Sequence, residues 1–128
     1  MVPMAAREGE PVMPRYLCLY KSAQPEGTPP SAEEQAKMGA LIGEMFQAGV
    51  LVSTEGCLPS KVGFRVRQDK GKVTVTDGPF TEAKEIVGGL AIIQTPSKEE
   101  AIQWTKKFLT IAGDGESEVR QLWEQPAS

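Results

Sequence analysis

Asp77 closes an apolar run and is followed at once by glycine and proline; Glu82, Lys84 and Glu85 come a few residues later, in the stretch VTDGPFTEAKE from Val75 to Glu85. A carboxylate held on a rigid elbow beside a lysine can act as an acid–base pair or bind a polar ligand when both groups are partly dehydrated. Fully solvated, the same residues are only a charged surface. Each turn residue also has a geometric reason to be present: Gly78 supplies torsional freedom, Pro79 fixes a dihedral angle and Phe80 returns the chain to the core. Asp77 is expected to do both jobs, accepting backbone hydrogen bonds within the elbow while facing a cleft, and is the candidate catalytic residue. Glu82 and Lys84 are candidates for ligand binding. So are Arg65 and Arg67, which lie two apart on a strand, share a face and can clamp a carboxylate or phosphate. Their structural alternative is a solvated face whose charges discourage aggregation. Glu55, beside Gly56, can point into the same cleft or serve a turn.

Histidine is absent, which removes the commonest metal ligand and the usual general base near neutral pH. Acid–base chemistry then falls to carboxylates, lysines, tyrosines or cysteines. The two cysteines, Cys18 and Cys57, lack the paired spacing of a zinc or redox motif, and neither a metal nor a cofactor is expected. Cys57 has a nucleophile's chemistry but no visible base beside it. Cys18 lies in an apolar strand and reads as packing. Tyr16 and Tyr20 share a strand face, where a phenol at the strand end can line a pocket.

A chain of 128 residues with 40% hydrophobic content has the size of one domain. Its net charge of -3, from 14 basic and 17 acidic residues without long runs, argues against nucleic acid as the main partner. Residues 1–14 read as a flexible lead-in with no apolar stretch long enough for a signal peptide or membrane span. The domain is expected over 15–124 with a short tail at 125–128. A reduced, cytoplasmic protein with no membrane partner is the expectation.

The elements that must position these residues follow from periodicity. RYLCLY reads as a central strand, and KSAQPEGTPP as a surface loop. Over 31–48, Ser31 and Glu34 form a capping box ahead of Met38, Leu41, Ile42, Met45 and Phe46 at helical spacing, and Gly49 stops the helix. Gly39 and Gly43 cost helix stability unless something approaches the backbone there. LVSTEG begins as a strand; GFRVRQDKGKVTVTDG reads as a hairpin with Phe64, Val66, Val73 and Val75 on one face and Arg65, Arg67, Thr74 and Thr76 on the other. GGLAIIQT is apolar on both faces and should be central. A second helix over 97–112 repeats the capping box with Ser97 and Glu100 and presents Ala101, Trp104, Phe108 and Ala112. SEVRQLWE closes as a strand with Val119 and Trp123 on one face. The order predicts an α+β fold: a ferredoxin-like split βαβ, mainly antiparallel sheet of four or five strands with two helices on one face and an added hairpin. The uncovered sheet face predicts a homodimer through that face.

The stretch TDGPFTEAKEIVGG resembles the signature of the DGPF branch of the YCII-related family, and EGCLPS resembles the glycine–leucine–proline turn such proteins carry upstream. YLCLY and EVRQLWE fit as well, so the resemblance covers about residues 15–124. It implies a dimeric ferredoxin-like fold, a pocket beside the sheet and bacterial proteins of mostly unassigned activity, some linked to sigma factors and one to chloroaromatic degradation. The His–Asp pair of better-studied members cannot be carried over to a chain without histidine. Three functions are therefore expected in contention. The first is a small-molecule binding or accessory protein, with a small anion as its candidate ligand. The second is an acid–base enzyme, for elimination or isomerisation of a small organic acid through Asp77. The third is an interaction module in sigma-factor regulation.

Overall fold

The computed structural model describes residues 13–80 and 86–124. β1 (Arg15–Ser22) lies at the centre of a sheet, flanked by β5 (Ile86–Gln94) on one side and β6 (Gly115–Gln121) on the other, with β2 (Leu51–Gly56) outside β5. All three pairings are antiparallel. The order β2-β5-β1-β6 is the ferredoxin-like split βαβ arrangement, in which β5 lies between the two strands that α1 (Ala32–Gln47) connects. The strands that are apolar on both sides, β1 and β5, are the two central ones.

Helix ends fall where the capping signals place them. The Ser31 hydroxyl accepts the Glu34 N–H at 3.1 Å, and Ser97 accepts the Glu100 N–H at 3.2 Å at the start of α2 (Lys98–Ala112). Gly49, at φ 72°, closes α1, with its own N–H donating to Phe46 O and the next N–H to Met45 O. Leu41, Met45 and Ala101 from the helices meet Tyr16, Leu51 and Ile93 from the sheet in one buried cluster. Phe46 departs from expectation: it is 53% exposed, because it lies about 100° round the helix from Met45, the residue that meets the sheet. Among the described residues, nothing approaches Gly39 or Gly43 within 4 Å of where a Cβ would stand.

The segment expected to add a hairpin forms a separate ribbon. β3 (Phe64–Asp69) and β4 (Lys72–Asp77) pair with each other around a two-residue turn in which Lys70 and Gly71 both take positive φ, 50° and 81°. Among the described residues the main sheet thus has four strands, and the ribbon joins neither edge. The last strand stops at Gln121, opposite Tyr16. Trp123 lies past that pairing and is 95% exposed, since strand alternation has no sheet to face there. Among the described residues, no helix is long and apolar enough to cross a membrane.

Candidate functional site

The helix-covered face is filled at one end and hollow at the other. Where Tyr16 lies opposite Ile93 the cross-strand pair is large and buried; one step along, Cys18 faces Ala91, and then Tyr20 faces Gly89. The small members of these pairs leave space under the helices, and the result is a cavity of about 350 Å³. Met38 and Ile42 of α1 and Trp104 and Phe108 of α2 wall it, and Gly88 and Gly89 lie on its floor. A Cβ on Gly89 would stand 2.6 Å from the Glu55 carbonyl oxygen, and one on Gly88 2.9 Å from the Tyr20 ring. These close approaches are what require glycine inside a strand.

The few polar groups of the cavity differ in how fully they are engaged. The Thr54 hydroxyl donates to Leu90 O at 3.2 Å and the Thr105 hydroxyl to Ala101 O at 2.8 Å. The Tyr20 hydroxyl reaches Ala112 O and Asp114 O only at 3.5 Å each, at the weak limit of hydrogen bonding. Its ring meets Phe108 edge to face at 5.1 Å. Burial pushes the Cys18 thiol up, only partly offset by its hydrogen bond with Thr105. The cavity opens into a broader groove of about 860 Å³ between the loops 24–30 and 56–59, with Tyr20, Met38, Ile42 and Phe108 common to both.

The elbow around Asp77 is a junction of three segments. The Ser60 N–H and hydroxyl donate to the two oxygens of the Glu26 carboxylate at 2.8 and 2.7 Å, which ties the 24–30 loop to the base of the hairpin. The Ser60 hydroxyl oxygen also accepts the Phe80 N–H at 3.1 Å, and Gly78 donates to Gly63 O at 2.9 Å. A Cβ on Gly78 would overlap the Ser60 carbonyl oxygen, so this glycine is required by close backbone approach. The Arg65 guanidinium stacks 3.8 Å over the Phe80 ring.

Strand pairing separates the residues that the sequence suggested as acting together. Asp77 lies opposite Phe64 and is exposed, on the same ribbon face as Val66 and Val75; Arg65 and Arg67 lie opposite Thr76 and Thr74 on the other face. None of these three is among the residues lining the cavity or the groove; Glu55, exposed near the end of β2, is among them, but its register position opposite Leu90 sets its side chain on the sheet face away from the helices. Glu82 and Lys84 lie outside the described residues. The cavity residues were legible in the sequence only as core, because apolar helical spacing cannot distinguish a filled face from a hollow one. The pair Gly88–Gly89 inside a strand was the available signal. The Glu26–Ser60 tie, spanning 34 positions, had none.

Cys57 is exposed at the groove, with its N–H donating to Gly88 O at 2.9 Å, while Cys18 is half-buried in the cavity wall. Native protein at pH 8 is expected to release about one thiol equivalent to a disulfide reagent and about two after denaturation. Because the folded Cys18 pKa lies above its ordinary 9.0, the unfolded chain loses this proton first as pH rises. The associated stability is therefore complete below pH 9 and declines above it, toward the folded pKa. Equal reactivity of both thiols in the native state would contradict this environment.

A family model for the YCII-related domain matches residues 15–125. A protein of Rhizobium meliloti (strain 1021), itself uncharacterised, is 29% identical over 86 residues, which cover 66% of this chain and 69% of that protein.

Proposed function

Since this chain belongs to the YCII-related domain family, we propose that it is a small-molecule binding protein that takes a compact, mostly apolar molecule into the cavity between its helices and its sheet. The single observation that carries this reading is the cavity itself. Its volume of about 350 Å³ lies in the range of ligand pockets, which are apolar with a few orienting polar groups. The described lining contains neither lysine nor arginine, so a neutral ligand fits it better than the anion that Arg65 and Arg67 suggest. The weakly engaged Tyr20 hydroxyl can donate to an oxygen or nitrogen on such a ligand. The expected occupant is a neutral ring compound bearing one hydrogen-bond acceptor.

We further propose that the protein works as a dimer paired through the sheet face opposite the helices. Leu17, Leu19, Leu90 and Ile92 alternate onto that face from the two central strands, and a second copy is the simplest cover for it.

The test uses N-phenyl-1-naphthylamine, a neutral apolar fluorophore. The expected result is saturable binding of one probe per chain with Kd on the order of 10 µM, about -7 kcal/mol. Ala91→Phe projects a ring into the cavity and is expected to weaken binding at least tenfold while the chain stays folded. Arg65→Ala and Asp77→Asn should leave the affinity unchanged. Absence of saturable binding, or unaltered binding in Ala91→Phe, would overturn the cavity as the site. Loss of binding in Asp77→Asn would instead favour the elbow.

A further inference from the structure

We infer that the β3–β4 ribbon is a dimerisation arm, whose apolar face packs on a second copy of this chain; the inference rests on the dimer just proposed and specifies what holds it together. Phe64, Val66, Val73 and Val75 share one face of the ribbon and are each between 57% and 66% exposed. The other face carries Arg65, Arg67, Thr74 and Thr76. A two-stranded ribbon has no core of its own and is marginal in water without a surface to lie on. Among the described residues this ribbon makes its extensive contacts only between its own strands, and all twelve of its strand residues are exposed. Four large apolar side chains on a free-standing arm form an uncovered patch of the kind that marks an interaction surface.

Area and charge point to a second copy as the occupant. Four strands about 4.8 Å apart and some seven residues long present a sheet face of roughly 400 Å², about half of the roughly 800 Å² per partner of a stable interface. Pairing sheet faces alone therefore falls short. A six-residue ribbon is roughly 20 Å long and 10 Å wide. Reciprocal arms, each contributing its own face and covering a similar area on the other chain, bring the total to roughly 800 Å² per partner. The strands and turn from 64 to 77 hold four cations (Arg65, Arg67, Lys70, Lys72) and two carboxylates (Asp69, Asp77), a net +2; with the whole chain at -3, the remainder carries -5. Arg65, Arg67 and Lys72 lie on the face away from the apolar one, so they would meet the acidic body of the other copy at the rim of the contact, and two-fold symmetry makes both contacts at once. Asp77 shares the apolar face of the arm, so docking would carry its carboxylate to the other chain.

The experiment is sedimentation velocity from 1 to 200 µM on the full chain, on the arm variant Val66→Lys/Val75→Lys and on the sheet-face variant Leu19→Lys. The expected results are a wild-type dimer and at least a 100-fold weaker dimer for the arm variant, whose far-UV spectrum and thermal transition remain those of a folded chain. Because the substituted valines are exposed and outside the core, this variant has little reason to unfold. A wild type that stays monomeric throughout would overturn the dimer and the arm together. A wild-type dimer unaffected by the arm variant but weakened by Leu19→Lys would overturn the arm alone. As an independent readout, p-benzoylphenylalanine in place of Val73 is expected to photo-cross-link to a second chain. Cross-linking confined to its own chain would also sink the proposal.

Discussion

Gly78→Ala is expected to release the ribbon from the rest of the fold. An added Cβ would overlap the Ser60 carbonyl oxygen, and that atom is backbone, so the elbow must move away rather than a side chain rotate. Moving it breaks the Gly78 N–H bond to Gly63 O and the Phe80 N–H bond to the Ser60 hydroxyl, each contributing about 1 kcal/mol. Residual crowding adds about 1 kcal/mol or more. A total near 3 kcal/mol exceeds what a two-stranded ribbon can sustain alone. The expected signature is local: amides of residues 64–77 exchange with solvent at least tenfold faster, while those of β1 and β5 keep their protection. Gly43→Ala is the control. It sits in α1 with no neighbour among the described residues near the added atom, so it should stabilise the chain by about 0.5–1 kcal/mol. Unchanged exchange in the Gly78 variant would show that the elbow is not the anchor.

Ile93→Ala should have the opposite distribution, costing global stability and sparing the cavity's function. Ile93 is 2% exposed, faces Tyr16 across β1 and lies in the buried cluster with Leu41 and Met45. Removing its side chain forfeits transfer energy and leaves a void, at a cost of about 3 kcal/mol. For a domain of this size that lowers Tm on the order of 10–15 °C. The void is continuous with the existing cavity, of which Ile93 is a wall residue, so the variant is expected to bind N-phenyl-1-naphthylamine with affinity within about threefold of wild type, measured below its transition. Ala91→Phe, one strand turn away, is expected to do the reverse. Coincident loss of stability and binding in both variants would mean that the pocket and the core are not separable.

Local rules account for much of the fold. Ser31 and Ser97 cap their helices as the spacing to Glu34 and Glu100 requires, because a cap is satisfied by atoms three residues away. The turn at Lys70–Gly71 closes a ribbon whose two faces are as alternation predicts, because side-chain direction in a strand follows from a period of two. The central places of β1 and β5 follow from runs that are apolar on both sides, and the split βαβ order from the sequence of strands and helices.

The site was decided at longer range. Alternation correctly set Arg65 and Arg67 on one face. The same alternation sets Asp77 with Val73 and Val75, and the register of β4 against β3, with Asp77 opposite Phe64, agrees and holds it away from both arginines. The hollow under the helices arises because Cys18 happens to face Ala91 and Tyr20 to face Gly89, pairings between residues some 70 positions apart. The Glu26 carboxylate finds Ser60 across 34 positions. Residue type and spacing thus determined what each segment is and which way its side chains alternate, since those are properties of a few neighbouring dihedral angles. Tertiary structure alone decided which surfaces meet, and with them where the cavity lies, because packing depends on pairwise volumes that no single segment contains.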